Sequence, residues 1–320
     1  MLAVLEVTLP VFALVLCGHV ASGRRLLPAG AVEGINAFVF YFALPAMLFR
    51  VVAQRPIAEL LDWRYVCGYL AAGLAVYLLV WSSALHGRLG LPPGADRTQA
   101  SALALHATHG NIGYLGLALV AELDPTALPT VALTIICDIF VFIALSMVLM
   151  EFGIARQDGR PAARSRSAWL PVATSLARSP LVLSIGAGLL VSIPALPVPV
   201  AVDNFTRMLS GAAGPAALFA IGAALGAQPL RIDRQVAALV FAKLVLYPAA
   251  IGASLFLLFR PDPAVASVGT LCAALPAASN SFIIAQRYRV PTDAIGAATA
   301  VGTVLSVLSI TVAIWLLGLR

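Results

Sequence analysis

Ten apolar runs of about twenty residues, separated by short polar breaks, dominate the sequence. An α-helix needs about this length to cross a hydrocarbon core of about 30 Å. Because backbone groups in lipid must find hydrogen-bond partners within the chain, runs of this length fold as helices. A composition of 61% hydrophobic and 11% charged residues, with a mean hydropathy of +0.97, excludes a soluble globular chain. The sequence therefore predicts an all-α polytopic membrane protein whose spans, numbered 1 to 10 in chain order, are 4–22, 32–52, 65–86, 98–121, 127–151, 174–193, 200–226, 235–259, 264–287 and 293–318.

The spans fall into two groups of five on either side of the longest polar stretch, Gly153 to Ser167. Because five is odd, a duplicated half would re-enter the membrane upside down. Traces of a duplication remain, since Pro45-Ala46-Met47-Leu48-Phe49 recurs 170 residues later as Pro215-Ala216-Ala217-Leu218-Phe219, and Asn111 precedes Asn280 by 169. The predicted units are a first inverted repeat at 1–152, a loop at 153–170 and a second inverted repeat at 171–320.

The distribution of Lys and Arg predicts the orientation. Fourteen of the twenty lie in or beside the loops that follow the odd-numbered spans, and cytoplasmic loops hold the excess of positive charge. We therefore expect both termini outside and the 153–170 loop in the cytoplasm, in the cell (inner) membrane. The net charge of +6 is thus a topology signal, and no segment resembles a nucleic-acid module.

Two spans are interrupted at their centres by small, amide and helix-weakening residues. Span 4 contains His109-Gly110-Asn111-Ile112-Gly113-Tyr114, and span 9 contains Pro276-Ala277-Ala278-Ser279-Asn280-Ser281. Two broken helices would expose helix ends and amides at the midplane, where they can replace water around a polar solute. Convergent carboxamides beside a helix N-terminus suit an anion such as a carboxylate, with close packing and helix–helix hydrogen bonds as the alternative. The candidate substrate-binding residues are Asn111, Asn280, Ser279, Ser281, Gly110, Gly113, Tyr114 and Pro276.

Intramembrane charges are the candidates for ion coupling. An ionised Asp138 at the centre of span 5 costs at least about 2.5–3.5 kcal/mol, so it must be protonated, paired or facing water. Lys243 in span 8 is the nearest partner by depth, followed by His106 and His109 in span 4. The reading is either a protonation site coupled to transport, with Asp138, Lys243 and His109, or a structural ion pair, with a sodium ligand as a third alternative. At the start of span 7, Asp203 and Arg207 have the spacing of an i,i+4 pair.

Other classes of protein have less support. The four cysteines lie in apolar runs without CxxC spacing, which argues against a metal site or a disulfide framework. No paired aspartates and no Gly-x-Ser-x-Gly occur, so we expect neither an enzyme nor a bound cofactor. A transporter-like membrane sensor that signals through a partner stays open.

The interruptions, the repeated Pro-Ala-x-Leu-Phe, Gly222-Ala223-Ala224-Leu225 after its second copy, and Leu275-Pro276 through Ala285-x-x-Tyr288 resemble the auxin efflux carrier family of bacterial transporters. The resemblance implies a scaffold of spans 1, 2, 6 and 7 and a mobile core of spans 3–5 and 8–10, in which spans 4 and 9 are broken and cross. Bacterial members are often labelled malonate or malate carriers, and the family is similar to plant auxin exporters and, more distantly, to bile-acid sodium symporters. Span 4 departs from the pattern, since it has Gly110 and Gly113 where the family has a proline.

These observations predict a secondary transporter of a small organic anion, working by elevator-type alternating access. We expect it to be proton-linked or uncoupled, with sodium symport as the alternative because sodium-driven relatives place a carboxylate in the second crossing. A homodimer through the scaffold helices is the expected assembly.

Overall fold

The computed structural model describes residues 2–28, 30–54, 61–91, 94–157, 174, 177–194, 196–225 and 232–319. Within these residues the regular structure is helical, with twelve helices and no strand. The helices are α1 (Leu2–Gly23), α2 (Ala31–Ala53), α3 (Trp63–His86), α4 (Arg97–Thr108), α5 (Ile112–Leu123), α6 (125–157), α7 (Pro180–Ser192), α8 (Val200–Leu225), α9 (Arg234–Phe259), α10 (Pro263–Ala274), α11 (Ser279–Arg287) and α12 (Asp293–Leu317).

Five described helices are long and apolar enough to cross a membrane, namely α2, α3, α6, α9 and α12. Shorter apolar helices include α5, α7 and α10. Each predicted span contains one described helix, except that span 4 contains α4 and α5, and span 9 contains α10 and α11. The chain is therefore an integral, polytopic helical protein. From residue 158 onward, the predicted loop at 153–170 lies outside the described residues.

Aspartate side chains mark where four of the helices begin. Asp62, Asp96, Asp233 and Asp262 precede α3, α4, α9 and α10, and each carboxylate accepts a hydrogen bond from a backbone N–H of the first turn. Such a cap satisfies one of the N–H groups that a helix start leaves without a partner. The caps thus set the first turns of the helices that lead into the two interrupted regions and of their neighbours.

Buried apolar side chains form two clusters. The first joins α3, α4, α6 and α9 with α12 and is represented by Tyr69, Leu105, Phe142, Leu239 and Ile295. The second joins α2, α7 and α8 to α5, to the α10 region and to one face of α6, with contributions from α12. α6 contributes to both clusters, so it links the two packed groups of helices.

A glycine in α8 allows very close packing against α1. A Cβ atom placed on Gly222 would collide with the carbonyl oxygen of Val15. Small residues at such contacts let two helix backbones approach, which is how membrane helices associate without a hydrophobic driving force. α1 and α8 are accordingly packed backbone to backbone.

An ion pair joins α2 to α8 at one end of this group. Arg50 Nη1 lies 2.5 Å from Asp203 Oδ1 and donates to the Asp203 carbonyl oxygen over 2.8 Å, and Gln54 donates to Asp203 Oδ1 over 2.7 Å. The predicted pair between Asp203 and Arg207 is wrong, because Arg207 donates to Asn204 Oδ1 over 2.8 Å instead. The tertiary contact with α2 replaces the local one.

Candidate functional site

The non-helical segments 109–111 and 275–278 meet each other. α4 ends at Thr108 before α5 begins at Ile112, and α10 ends at Ala274 before α11 begins at Ser279. The Asn111 N–H donates to the Pro276 carbonyl over 2.8 Å, and the Ala278 N–H donates to the His109 carbonyl over 3.1 Å. This short antiparallel bridge, centred on Gly110 and Ala277, gathers two helix N-termini and two helix C-termini at one place.

Gly110 is required by this close approach. A Cβ atom at this position would lie 3.1 Å from the Cys272 carbonyl oxygen and 3.3 Å from the Ile112 side chain. Both distances are shorter than ordinary carbon contacts, so a larger residue would fit only if the neighbouring atoms shifted. The glycine expected to weaken span 4 therefore also admits the segment between α10 and α11.

A cavity of about 540 Å³ lies beside the bridge. Its walls are α2 and α8 on one side and α5, α6 and α11 on the other. Asn111 and Asn280 are half-buried there, and neither side chain hydrogen bonds to the part of the chain that the structure describes. The predicted site residues that line the cavity are His109, Gly110, Asn111, Gly113, Tyr114, Asp138, Ser279 and Asn280.

Three predicted site residues do not line the cavity. Ser281 is fully buried and donates to the Ala278 carbonyl over 2.8 Å. Pro276 contributes its carbonyl oxygen to the bridge, and Lys243 lies behind the bridge. Ser281 turns inward because it stands on the first turn of α11, whose opposite side presents Ser279 and Asn280 to the cavity.

Sequence reasoning missed the contribution of α2. Asn36, Phe40 and Tyr41 line the cavity, and the Asn36 carbonyl accepts a hydrogen bond from the Tyr114 hydroxyl over 3.4 Å. The signal was present, since Asn36 is an amide within an apolar span, as Asn111 and Asn280 are. These residues complete a ring of polar and aromatic groups around the cavity.

Asp138 is held by two side chains from other helices. The carboxylate is 1% exposed, its Oδ2 lies 2.9 Å from His109 Nδ1, and its Oδ1 accepts from the Tyr69 hydroxyl over 2.9 Å. The Tyr247 hydroxyl donates in turn to Tyr69 over 2.9 Å. Asp138 begins a π-helical turn, Asp138–Ile143, a departure from α-helix that is frequent at functional sites.

Lys243 is not the direct partner of Asp138. Its ammonium, 1% exposed, donates to the Ala273 carbonyl over 2.6 Å and lies 4.7 Å from the centre of the Tyr247 ring. Among the described residues Asp138 makes its contact with a basic side chain through His109, so the expectation that Lys243 would be its nearest partner is wrong. The reason is that Ala273 stands at the C-terminal end of α10, where a helix attracts a cation.

A second cavity of about 300 Å³ adjoins the first. The two share residues such as Phe40, Ile139 and Asn280, and the second adds Arg178 and Arg287. Both guanidinium groups belong to exposed residues. The cavity beside the bridge is thus flanked on one side by positive charge.

Metal chemistry has no structural support in the described residues. No group of three or more His, Cys, Asp or Glu side chains there could hold a metal ion. Cys137 and Cys272 are buried free thiols, and Cys17 and Cys67 are exposed free thiols. The polar groups of the site are thus amides, hydroxyls and the His109–Asp138 pair, which suit hydrogen bonding to a solute.

A helical fold with several membrane-spanning segments and an internal cavity with polar side chains is typical of a membrane transporter, and comparison with known proteins identifies the family. The chain belongs to the family described as "Membrane transport protein", whose model matches residues 3–314. The resemblance to the auxin efflux carrier family is thereby confirmed over essentially the whole chain.

Individual relatives agree with this assignment. The chain is 30% identical to the "Putative malonate transporter" of Rhizobium meliloti over 97% of this chain and 94% of that protein. It is 26% identical to "Uncharacterized transporter YfdV" of Escherichia coli K12, over 89% and 88% of the two chains. It also matches the "Lysosomal cholesterol signaling protein" of Mus musculus at 22% identity, over 96% of this chain and 36% of that longer protein.

Proposed function

We propose that this protein is a secondary transporter of a small organic anion, with a carboxylate as the transported group, bound in the cavity beside the bridge. One observation carries the proposal. Two half-buried amides, Asn111 and Asn280, line a cavity of about 540 Å³ and have no hydrogen-bond partner among the described residues, next to the N-termini of α5 and α11. Free N–H groups at helix starts attract anions, and the volume lies within the range of small-molecule sites, about 300–1,000 Å³.

The chemical class of the substrate follows from these groups. Amide N–H donors, the Ser279 hydroxyl and helix N-termini all favour an acceptor-rich, negatively charged ligand. The name of the relative from Rhizobium meliloti suggests malonate, and an auxin-like aromatic acid is a further member of the same carboxylate class. Phe40 and Tyr41 would pack against the apolar part of such a ligand.

The movement that we propose is of the elevator type. In this hypothesis α4–α5 and α10–α11 are two broken helices that cross, in two inverted repeats, and they move with α3, α6, α9 and α12 against a scaffold of α1, α2, α7 and α8. The lining of the cavity supports this division, because it combines residues of α2, α7 and α8 with residues of α5, α6 and α11. Orientation in the inner membrane with both termini outside, and a scaffold-mediated homodimer, complete the proposal.

Coupling is proposed to be to protons or absent. Asp138, His109 and Lys243 form a buried polar group next to the bridge, whereas the second interrupted segment, 275–278, contains no carboxylate for a sodium ion. Sodium symport is the alternative, and it predicts transport that requires a sodium gradient.

A transporter-like sensor is the candidate from another class. The relative that favours it is the signalling protein of Mus musculus, in which the matched region makes up 36% of a longer chain. A sensor would bind the anion in the same cavity without moving it across the membrane. Binding without counterflow therefore distinguishes a sensor from a transporter.

Counterflow in proteoliposomes against a panel of mono- and dicarboxylates, with and without sodium, tests the function. We expect Asn111→Ala and Asn280→Ala each to weaken binding about ten- to hundredfold, because a lost hydrogen bond to a charged group costs about 1.5–3 kcal/mol. Asn204→Ala is the matched control, since that asparagine lies in α8 outside the cavity. Normal binding by both cavity variants would place the substrate elsewhere.

A further inference from the structure

His109 contacts the buried carboxylate of Asp138, and both residues line the cavity. His109 is 6% exposed, its Nδ1 lies 2.9 Å from Asp138 Oδ2, and its Nε2 is buried with no hydrogen-bond partner among the described residues. We propose that His109 binds the substrate through Nε2 and that each anion enters the cavity together with one proton on that nitrogen. This inference rests on the proposed function and deepens it by assigning the residue that carries the proton.

The hydrogen bond between His109 and Asp138 determines which nitrogen of the His109 ring can gain or lose a proton. An ionised carboxylate can only accept, so the hydrogen between His109 and Asp138 belongs to Nδ1. Asp138 also accepts from Tyr69, which holds the carboxylate in place. In a neutral ring Nε2 is then a bare acceptor that repels a carboxylate, whereas in a protonated ring it is a donor. The anion therefore needs the proton in order to bind.

The charges around His109 and Asp138 also favour the uptake of one proton with each anion. Lys243 donates to a carbonyl at a helix C-terminus and lies over the face of an aromatic ring, and both contacts favour its ammonium form. Its charge offsets that of Asp138, and the two N-terminal and two C-terminal helix ends at the bridge offset one another. The other titratable side chains packed around the pair are neutral as phenols, thiols or imidazole, namely Tyr65, Tyr69, Tyr114, Tyr247, Cys137, Cys272 and His106.

With a neutral His109 the buried group therefore carries no net charge. An entering anion would then be an uncompensated charge in a largely desolvated place, which is strongly unfavourable. Protonation of His109 supplies the single positive charge that balances it. The expected ratio is one proton taken up for each anion bound.

His106, in the last turn of α4, provides the comparison. It lies one turn before His109, its Nδ1 is 3.3 Å from the Ser281 hydroxyl, and its Nε2 is also buried without a partner in the described part of the chain. No carboxylate contacts it and it does not line the cavity. His106→Gln thus makes the same chemical change as His109→Gln, away from the proposed site.

The test is isothermal titration calorimetry of the purified full-length protein with propionate and with an aromatic monocarboxylate, each of which carries one negative charge near neutral pH. Titrations at about pH 7, in two buffers of different ionisation heat, count the protons taken up with each ligand. We expect close to one proton per anion for the wild type and for His106→Gln. For His109→Gln we expect weaker binding and no proton uptake at ligand concentrations that still saturate the site, because glutamine keeps an N–H donor but does not become charged. In the wild type the apparent Kd should rise as the pH is raised, because each bound anion takes up a proton.

Each outcome decides one statement. Binding without proton uptake between about pH 6 and pH 8.5, or uptake that persists in His109→Gln, would overturn the role of His109 and leave the proposed function standing. If every variant with a replaced His109 failed to fold, proton uptake that is absent from the wild type would still overturn the inference. Absence of binding by any anion of the panel would overturn the proposed function itself.

Discussion

A double-mutant cycle between Asp138 and Lys243 tests the chain of contacts that separates these two buried charges. The contacts run 4.7 Å from Nζ to the centre of the Tyr247 ring, 2.9 Å between the two tyrosine hydroxyls, and 2.9 Å from Tyr69 to Asp138. With the half-length of the ring, they bound the separation of the charges at about 13 Å. At an effective dielectric constant of about 20, the attraction is then at least about 1.3 kcal/mol.

The single variants are expected to lose more than this attraction. Lys243→Met also removes a hydrogen bond from a charged group to the Ala273 carbonyl, which contributes about 1.5–3 kcal/mol. Asp138→Asn breaks the contact with His109. The coupling between the two substitutions should nevertheless be only about 1–2 kcal/mol, because the charges do not touch.

The measurement is the free energy of unfolding of the detergent-solubilised wild type, the two single variants and the double variant. A coupling near zero would mean that the tyrosines do not link the charges. A coupling of about 3–5 kcal/mol, the size expected when one partner of a buried ion pair is removed, would mean that Asp138 and Lys243 are in direct contact. Either result would contradict the arrangement described above.

Three further predictions concern packing, access and topology. Gly222→Ala should lower the free energy of unfolding by about 1–3 kcal/mol through overpacking against α1. The matched control is Gly211→Ala in α8, which should not lower it because no atom lies within 4 Å of a Cβ at that position. Equal stability of the two variants would argue against the close contact. Arg287→Gln should slow anion uptake severalfold at low ionic strength and much less at about 0.15 M salt. The exposed control Arg289→Gln should not slow it, because Arg289 does not line the second cavity. An unchanged salt dependence would show that Arg287 does not attract the anion to the cavity. A cysteine in place of Arg160, outside the described residues, should resist an impermeant reagent in intact cells, and its labelling would reverse the predicted orientation.

The sequence predicted where the polar site lies along the chain better than it predicted which side chains contact each other there. Glycine and proline predict where helical hydrogen bonding stops, and α4 and α10 end at Thr108 and Ala274. That α4–α5 and α10–α11 are each one broken membrane helix remains a prediction. The residue types near these ends, amides and hydroxyls in an apolar span, were sufficient to single out most of the polar side chains that line the cavity.

Partners were harder to predict because depth in a membrane says nothing about direction around a helix. Depth alone favours Lys243 as the partner of Asp138, but the orientation of α9 about its axis directs the Lys243 amino group toward the C-terminal end of α10. The same limit applies to Asp203, whose spacing to Arg207 is favourable although α2 presents Arg50 nearer. Asn36 was overlooked because it has no counterpart in the second half, although its amide alone was a sufficient signal.

The short bridge at Gly110 and Ala277 also has a consequence for how the protein is made. The His109 carbonyl and the Asn111 N–H form hydrogen bonds with Ala278 and Pro276, which the ribosome adds more than 160 residues later. Until then, these groups lie unpaired at a depth where neither lipid nor neighbouring helices readily satisfy them. The first half of the chain therefore lacks these hydrogen bonds while the second half is being made, and the bridge forms only when synthesis is nearly finished. Truncation before residue 276 should accordingly leave a product that membrane proteases degrade.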